Sequence, residues 1–246
     1  VNTQQCDKAN SIDIIQGVLF LLLATAIAGF IATGRYINYV TPRTVPYAVI
    51  AAIVFVAFAV ASCCGIFHSN MKALEKIVIV LVIPILLLVL PVQSSSASGA
   101  GLNRAIAIND AASARLSGLN EAKKTITISD DEFGAWYDRI DRNASEYMGY
   151  TIILNGTVSK DSSVGRNQFT ASRMLMTCCV LDMTAFGFVV NAKASTMPKE
   201  NAWVTVSGTL SKGTIGTSSH HYQGLLLSNA TIITTSESGT GYFYHQ

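Results

Sequence analysis

Five thiols, a neighbouring pair of imidazoles and one basic–acidic pair are the groups in this 246-residue chain best placed to do chemistry. The densest set lies in 169–190, FTASRMLMTCCVLDMTAFGFVV. There Cys178 and Cys179 are adjacent, Arg173 precedes them and Asp182 follows. Thiolates and carboxylates hold soft and borderline transition cations such as zinc, and a thiol pair can also do redox chemistry. A second set, Cys63, Cys64 and His68, puts three donors into six residues, although a free cysteine near a helix end more often simply packs. A third pair, His220 and His221, sits before the last long extended run, where a solvated turn is the commoner role. No cysteine spacing matches a zinc ribbon or a disulfide framework, so the cysteines do not reveal the redox compartment. Arg173 and Asp182 are the charged groups of the central strands, and they read as a structural ion pair or loop anchors rather than an acid and a base.

What these residues can do depends on the element that carries them. Side chains on an extended strand alternate between faces. If the run 168–180 stays regular, Met174, Met176, Cys178 and Val180 share one face, and Arg173, Leu175, Thr177 and Cys179 the other. Adjacent thiols then cannot grip one ion. A bulge at this point would bring both to one edge.

Composition divides the chain. It is 50% hydrophobic and 13% charged, against about 25% charged in an ordinary soluble domain. The deficit sits in the first hundred residues. Three apolar runs, about 14–34, 45–67 and 77–92, predict a transmembrane domain over 1–92, since a helix needs about 20 apolar residues to cross the hydrocarbon. Pro84 in the third run is tolerated if a neighbouring helix satisfies the freed carbonyl. Three spans place the termini on opposite sides. Lys8, Lys72 and Lys76 share one side, and Arg35 and Arg43 the other. The positive-inside rule then favours a multi-pass protein of the cell membrane with an extracytoplasmic C-terminal domain.

Residues 93–124, rich in Ser, Ala and Gly, read as a linker. Residues 125–246 read as one β domain with an N-terminal helix. Ser129 to Glu132 has the form of a capping box, and Phe133, Trp136, Tyr137 and Ile140 follow on one helical face. Five extended runs come next, at 150–160, 168–180, 186–192, 203–210 and 224–234, with Gly156 and Gly208 inside two of them. Five short strands after a helix fit an OB-like five-stranded β-barrel better than a seven-stranded sandwich. The fold class expected is therefore membrane α plus soluble all-β.

Six segments stand out together: the loop from Gly34 to Arg43; Cys63, Cys64 and His68; Met148-Gly149-Tyr150; the core from Arg173 through Cys178-Cys179 to Asp182; the strand from Trp203 to Gly208; and the closing Tyr242-Phe243-Tyr244. By these segments the chain resembles, nearly end to end, the YcgQ-like bacterial family of two-component permease subunits. The resemblance implies an accessory subunit beside a multi-span membrane permease, with a link to transition-metal handling. It marks Arg173, Cys178, Cys179, Asp182, Trp203, Tyr242 and Tyr244 as motif or interaction residues. The loop that is histidine-rich in that family holds only His68 here.

The leading expectation is a non-catalytic accessory subunit that presents a β-barrel at the membrane surface. A metal-binding or thiol-redox module built on Cys178-Cys179 competes with it, as does a structural component whose barrel is a protein-interaction face. The partners expected are the lipid bilayer, the permease subunit and a homo- or hetero-oligomeric neighbour. Nucleic acid is excluded on a net charge of +2 with no basic run. No Ser-His-Asp set, phosphate loop or His-Glu-x-x-His segment is present, so an enzyme is not expected.

Overall fold

The computed structural model describes residues 11–66, 75–78, 80, 82, 86, 104–108, 115–217, 219–235 and 241–245. The chain divides into two compact units, Val1–Ser94 and Ser95–Gln246.

In the first unit, α1 (Ser11–Ala32) and α2 (Val45–Cys63) form a helical hairpin. Each belongs to a 22-residue stretch of mean hydropathy 2.4, long and apolar enough to cross a membrane. Each is apolar all round rather than on one face. α2 buries only Ala59 and Ser62, and leaves Ile50, Ile53 and Val60 exposed. A core helix of a water-soluble domain would bury such residues. Where the two helices meet, Phe20 lies against Phe55 and Phe58, with ring centroids 6.1 and 5.8 Å away. A Cβ on Gly17 would fall 2.7 Å from the Cys63 sulfur and 3.0 Å from the Ala59 carbonyl oxygen, so glycine lets the backbones close. The third expected span, 77–92, lies largely outside the described residues.

The second unit is built on a nine-stranded sheet. Its strands are β1 (Ala105–Ile108), β2 (Leu119–Asn120), β3 (Thr125–Thr127), β4 (Thr151–Ser159), β5 (Gln168–Leu175), β6 (Thr184–Asn191), β7 (Trp203–Gly216), β8 (His221–Thr234) and β9 (Tyr242–His245). The order is β1-β9-β5-β6-β8-β7-β4-β3-β2, and β4 also pairs with β5. Pairing thus runs from β4 through β5, β6, β8 and β7 back to β4. The β6–β8 step is parallel; the other four steps of this ring are antiparallel. Period-two burial puts Ile152, Leu154 and Val158 of β4, and Val204, Val206 and Leu210 of β7, into the core. Gly156 sits where β4 turns from β7 towards β5. A Cβ there would meet the Ala171–Ser172 backbone at 3.0 Å. Gly208 lies opposite a bulge in β8: between Ser207–Thr231 and Thr209–Ser228 it faces both Asn229 and Ala230, and Asn229 takes a positive φ of 51°.

The five expected strands are present, with four more beside them. The stretch expected to be linker holds β1 and β2, and β1 pairs in parallel with β9. Local alternation is too brief in four-residue strands to announce them.

The expected helix is α3 (Phe133–Arg142), followed by the short α4 (Ala144–Tyr147). Phe133, Trp136 and Ile140 are fully buried, and the Trp136 Nε1–H donates to the Ser117 carbonyl at 3.0 Å. The capping box is not the one expected. Ser129 makes no side-chain cap to the backbone, and its hydroxyl donates to the Glu132 carboxylate at 3.0 Å. That carboxylate also accepts the Ser117 amide at 3.0 Å and the Ser117 hydroxyl. Glu132 thus ties the segment before β2 to the start of the helix.

Candidate functional site

β5 ends at Leu175, not at Val180. This corrects the expectation of a regular strand with its two thiols on opposite faces. The cause is Asp182, in the 3₁₀ turn Val180–Asp182. Its carboxylate accepts three successive amides: Thr177 at 2.9 Å, Cys178 at 2.7 Å and Cys179 at 3.3 Å. Its own amide donates to the Cys179 carbonyl at 3.0 Å. A side chain that captures consecutive amides removes them from the strand ladder. The loop therefore folds back on the carboxylate, and both thiols come to one side of it.

The result is a donor set. One atom each from Cys178, Cys179 and Asp182 lies within 4.8 Å of the others, and this is the one such group of three among the described residues. Donors around a single zinc ion at about 2.0–2.3 Å stand roughly 3.5–3.8 Å apart. The side chains must close by only about 1 Å to reach that spacing. Two sulfurs and one oxygen suit a borderline cation better than a hard one. Asp182 Oδ2 accepts two amides and Oδ1 one, and the lone pair that takes the Cys178 thiol is released for a cation when that thiol ionises. Cys178 is exposed and Cys179 half-buried, and neither is in a disulfide. Leu181, between the donors, is 93% exposed.

Electrostatics in the turn favour a protonated Cys178 thiol. The Asp182 carboxylate, which accepts a hydrogen bond from the Cys178 thiol, together with the neighbouring Cys179, pushes Cys178 up to about 11. The Cys178 thiol and the three amides hold Asp182 below its ordinary value. A nucleophilic or redox cysteine needs the opposite, a stabilised thiolate.

Arg173 does not pair with Asp182. Its side chain is buried at the end of β5, and its guanidinium lies 5.0 Å from the Trp203 ring, 5.9 Å from Phe133 and 6.0 Å from Phe243. Its ion-pair partner is Asp130, at 3.3 Å but without the alignment of a hydrogen bond. Burial lowers the arginine pKa, while Asp130 and Asp131 oppose that shift. Loop anchor describes Asp182, and structural ion pair describes Arg173, but with different partners.

None of the other candidates is among the three donors. Trp203 opens β7 and carries the aromatic face over Arg173. Tyr242 and Tyr244 are buried in β9. His220 and His221 stand exposed at the β7–β8 turn and do not join the three donors. Cys63 and Cys64 end α2 in the other unit, and His68 lies outside the described residues. The acidic turn Asp130–Glu132, read from the sequence only as part of a capping box, has long-range partners that the sequence did not announce. Asp130 faces Arg173, Asp131 pairs with Arg104 at 2.8 Å, and Glu132 binds Ser117. Only a run of three carboxylates before a helix signals it.

A family model described as the DUF1980 C-terminal domain matches residues 107–245, more than half of the chain. The UPF0703 protein YcgQ of Bacillus subtilis (strain 168) is 27% identical over 101 residues. That alignment covers 41% of this chain and 35% of the relative, so the chain spans about a third of that protein's length. No solved structure matches.

Proposed function

As the chain belongs to the DUF1980 C-terminal domain family, we propose that it is a membrane-anchored, non-catalytic accessory subunit that binds a borderline transition cation, zinc foremost, at Cys178, Cys179 and Asp182. The observation that carries this reading is the convergence of two free thiols and a carboxylate in one exposed turn. Cys178 and Cys179 would supply sulfur and Asp182 oxygen, with Asp182 also fixing the turn through the three amides. Three protein donors leave a coordination position for a ligand from a partner, as fits a subunit that passes its ion on. The partnership with a multi-span permease rests on the family resemblance. Anchoring in the cell membrane rests on the length and hydropathy of α1 and α2, and the placement of the β domain outside the cytoplasm rests on the lysine and arginine distribution. The ring of pairings among β4, β5, β6, β8 and β7 supports an OB-like barrel as the frame that presents the turn.

The thiol-redox alternative is weaker. A raised Cys178 pKa disfavours nucleophilic attack, and a disulfide between neighbouring residues needs strained geometry.

Titration of the purified full chain with cobalt(II) tests the metal reading. The expected result is one equivalent bound with sulfur-to-metal charge-transfer absorption, lost in Cys178→Ser and in Cys179→Ser. Absence of that absorption in the reduced native protein overturns the reading.

A further inference from the structure

We propose that the cleft between α3, β6 and β8 is a binding site for an organic cation, a guanidinium or alkylammonium group. This goes beyond the metal reading and stands without it. The cleft has a volume of about 220 Å³ and is walled by Tyr137, Phe188 and Tyr222, with Asp141 beside them. Its floor is apolar, formed in part by Val189 and Leu225.

Each wall has a cause. Tyr137 and Asp141 are one helical turn apart on the flank of α3 that faces the sheet. The Tyr137 ring is held edge-on by Phe186 and Phe188, each with its centroid 5.3 Å away. Tyr222 stands 54% exposed on β8. Gly224, two residues on and without a side chain, lets Ile215 and the Tyr222 ring close over it, since a Cβ there would fall 2.7 Å from Ile215 Cδ1 and 3.1 Å from the Tyr222 ring.

The chemistry narrows the occupant. Aromatic faces carry negative potential and attract cations. No lysine or arginine lines the cleft, and Asp141 has no ion-pair partner among the described residues. Asp138, on the same helix, is already paired with Arg142 at 3.5 Å. Burial, Asp141 and Asp138 together raise the Tyr137 pKa, as a negatively biased surrounding does. A phosphate or carboxylate would meet Asp141, an exposed carboxylate, as a like charge, and a wholly apolar ligand would gain nothing from it. The volume is below the range of about 300–1,000 Å³ usual for whole small-molecule ligands. It suits the tip of one basic side chain or a small free amine.

The test uses the full chain in detergent and saturation-transfer NMR. N-acetyl-arginine amide is the probe, and N-acetyl-citrulline amide, its neutral isostere, is the control. The arginine probe is expected to bind saturably and the citrulline one not. Asp141→Asn and Tyr222→Ala, both at exposed positions, are each expected to weaken binding by roughly fivefold or more with an unchanged circular dichroism spectrum. A glycyl-arginyl-glycine peptide is compared with tetramethylammonium. Preference for the peptide assigns a partner's basic side chain and preference for the small ion a free amine, and either upholds a cation site. Equal binding of the citrulline control, unchanged binding in Asp141→Asn, or no saturable binding of any cation overturns the proposal.

Discussion

Asp182 makes the candidate site by an ordinary local effect: one carboxylate takes the amides of Thr177, Cys178 and Cys179. Its removal is therefore felt by the thiols. Asp182→Asn is expected to weaken cobalt or zinc binding about 10- to 100-fold, the usual cost of losing a group that orients metal ligands, as read by competition with a chelator. In the metal-free protein, alkylation of Cys178 is expected to stay slow at pH 7 and to climb only as pH approaches 11. Asp182→Asn should move that profile down towards the ordinary thiol range near 8.5. Rapid alkylation of native Cys178 at pH 7, followed by peptide mapping, would contradict the hydrogen bond from its thiol. Arg173 poses a different problem, because its buried charge is met by aromatic faces and by one carboxylate at 3.3 Å. Asp130→Asn is expected to lower the unfolding free energy by about 1–3 kcal/mol, since a buried cation loses its counter-charge. Arg173→Met, which removes the charge and its donors together, should cost less. Chemical denaturation of the two variants ranks them.

β5 and α3 are the elements on which the site depends. β5 supplies the entry to the donor turn, and its end is decided by a residue seven positions beyond Leu175 rather than by strand propensity. α3 closes the core with Phe133, Trp136 and Ile140. Ile140→Ala is expected to cost about 2–5 kcal/mol by opening a cavity. The turn before α3 is held by acidic residues, which makes part of its stability pH-dependent. Burial raises the Glu132 pKa, but hydrogen bonds from Ser117 and Ser129 outweigh it, so the net shift is downward. A carboxylate with a depressed folded-state pKa stabilises the fold above its ordinary value, about 4.3–4.5. That contribution is lost as pH falls through the depressed value. Glu132→Gln should therefore be less stable than the native chain at pH 7, with the difference vanishing in acid. Urea denaturation at several pH values reads this directly, and a constant difference would show that the Ser117 bond does not depend on charge.

The whole molecule joins an apolar helical hairpin to a closed cycle of strand pairings. α2 should be sensitive to charge at its middle. Ile53→Asp is expected to raise the apparent cost of membrane insertion by roughly 3 kcal/mol, which a glycosylation-mapping insertion assay measures. An unchanged insertion efficiency would mean that α2 does not lie in the hydrocarbon. The partition into an apolar front and a β-rich back was legible because it is written in composition, averaged over tens of residues. The strands β4 and β7 and the helix α3 were legible because their apolar residues recur at periods of two and 3.6. β1, β2 and β9 were not legible as strands. β1 and β9 are four residues long and exist because partners distant in sequence complete their hydrogen bonds, as Ile106 finds Phe243, while β2 pairs locally with β3 but is only two residues long.

The chain's order of residues was thus enough to say that helices come first, that a pleated domain follows, and that two thiols and a carboxylate lie close in sequence. Hydropathy and periodicity act between neighbours, so they need no knowledge of the fold. Whether the thiols face apart or together turned on a short-range contest, in which Asp182 took amides three to five residues back that a longer strand would have used. The counter-ion of Arg173 was decided only in three dimensions. Asp130 is 43 residues earlier in the chain, and no local rule links it to an arginine at the end of β5.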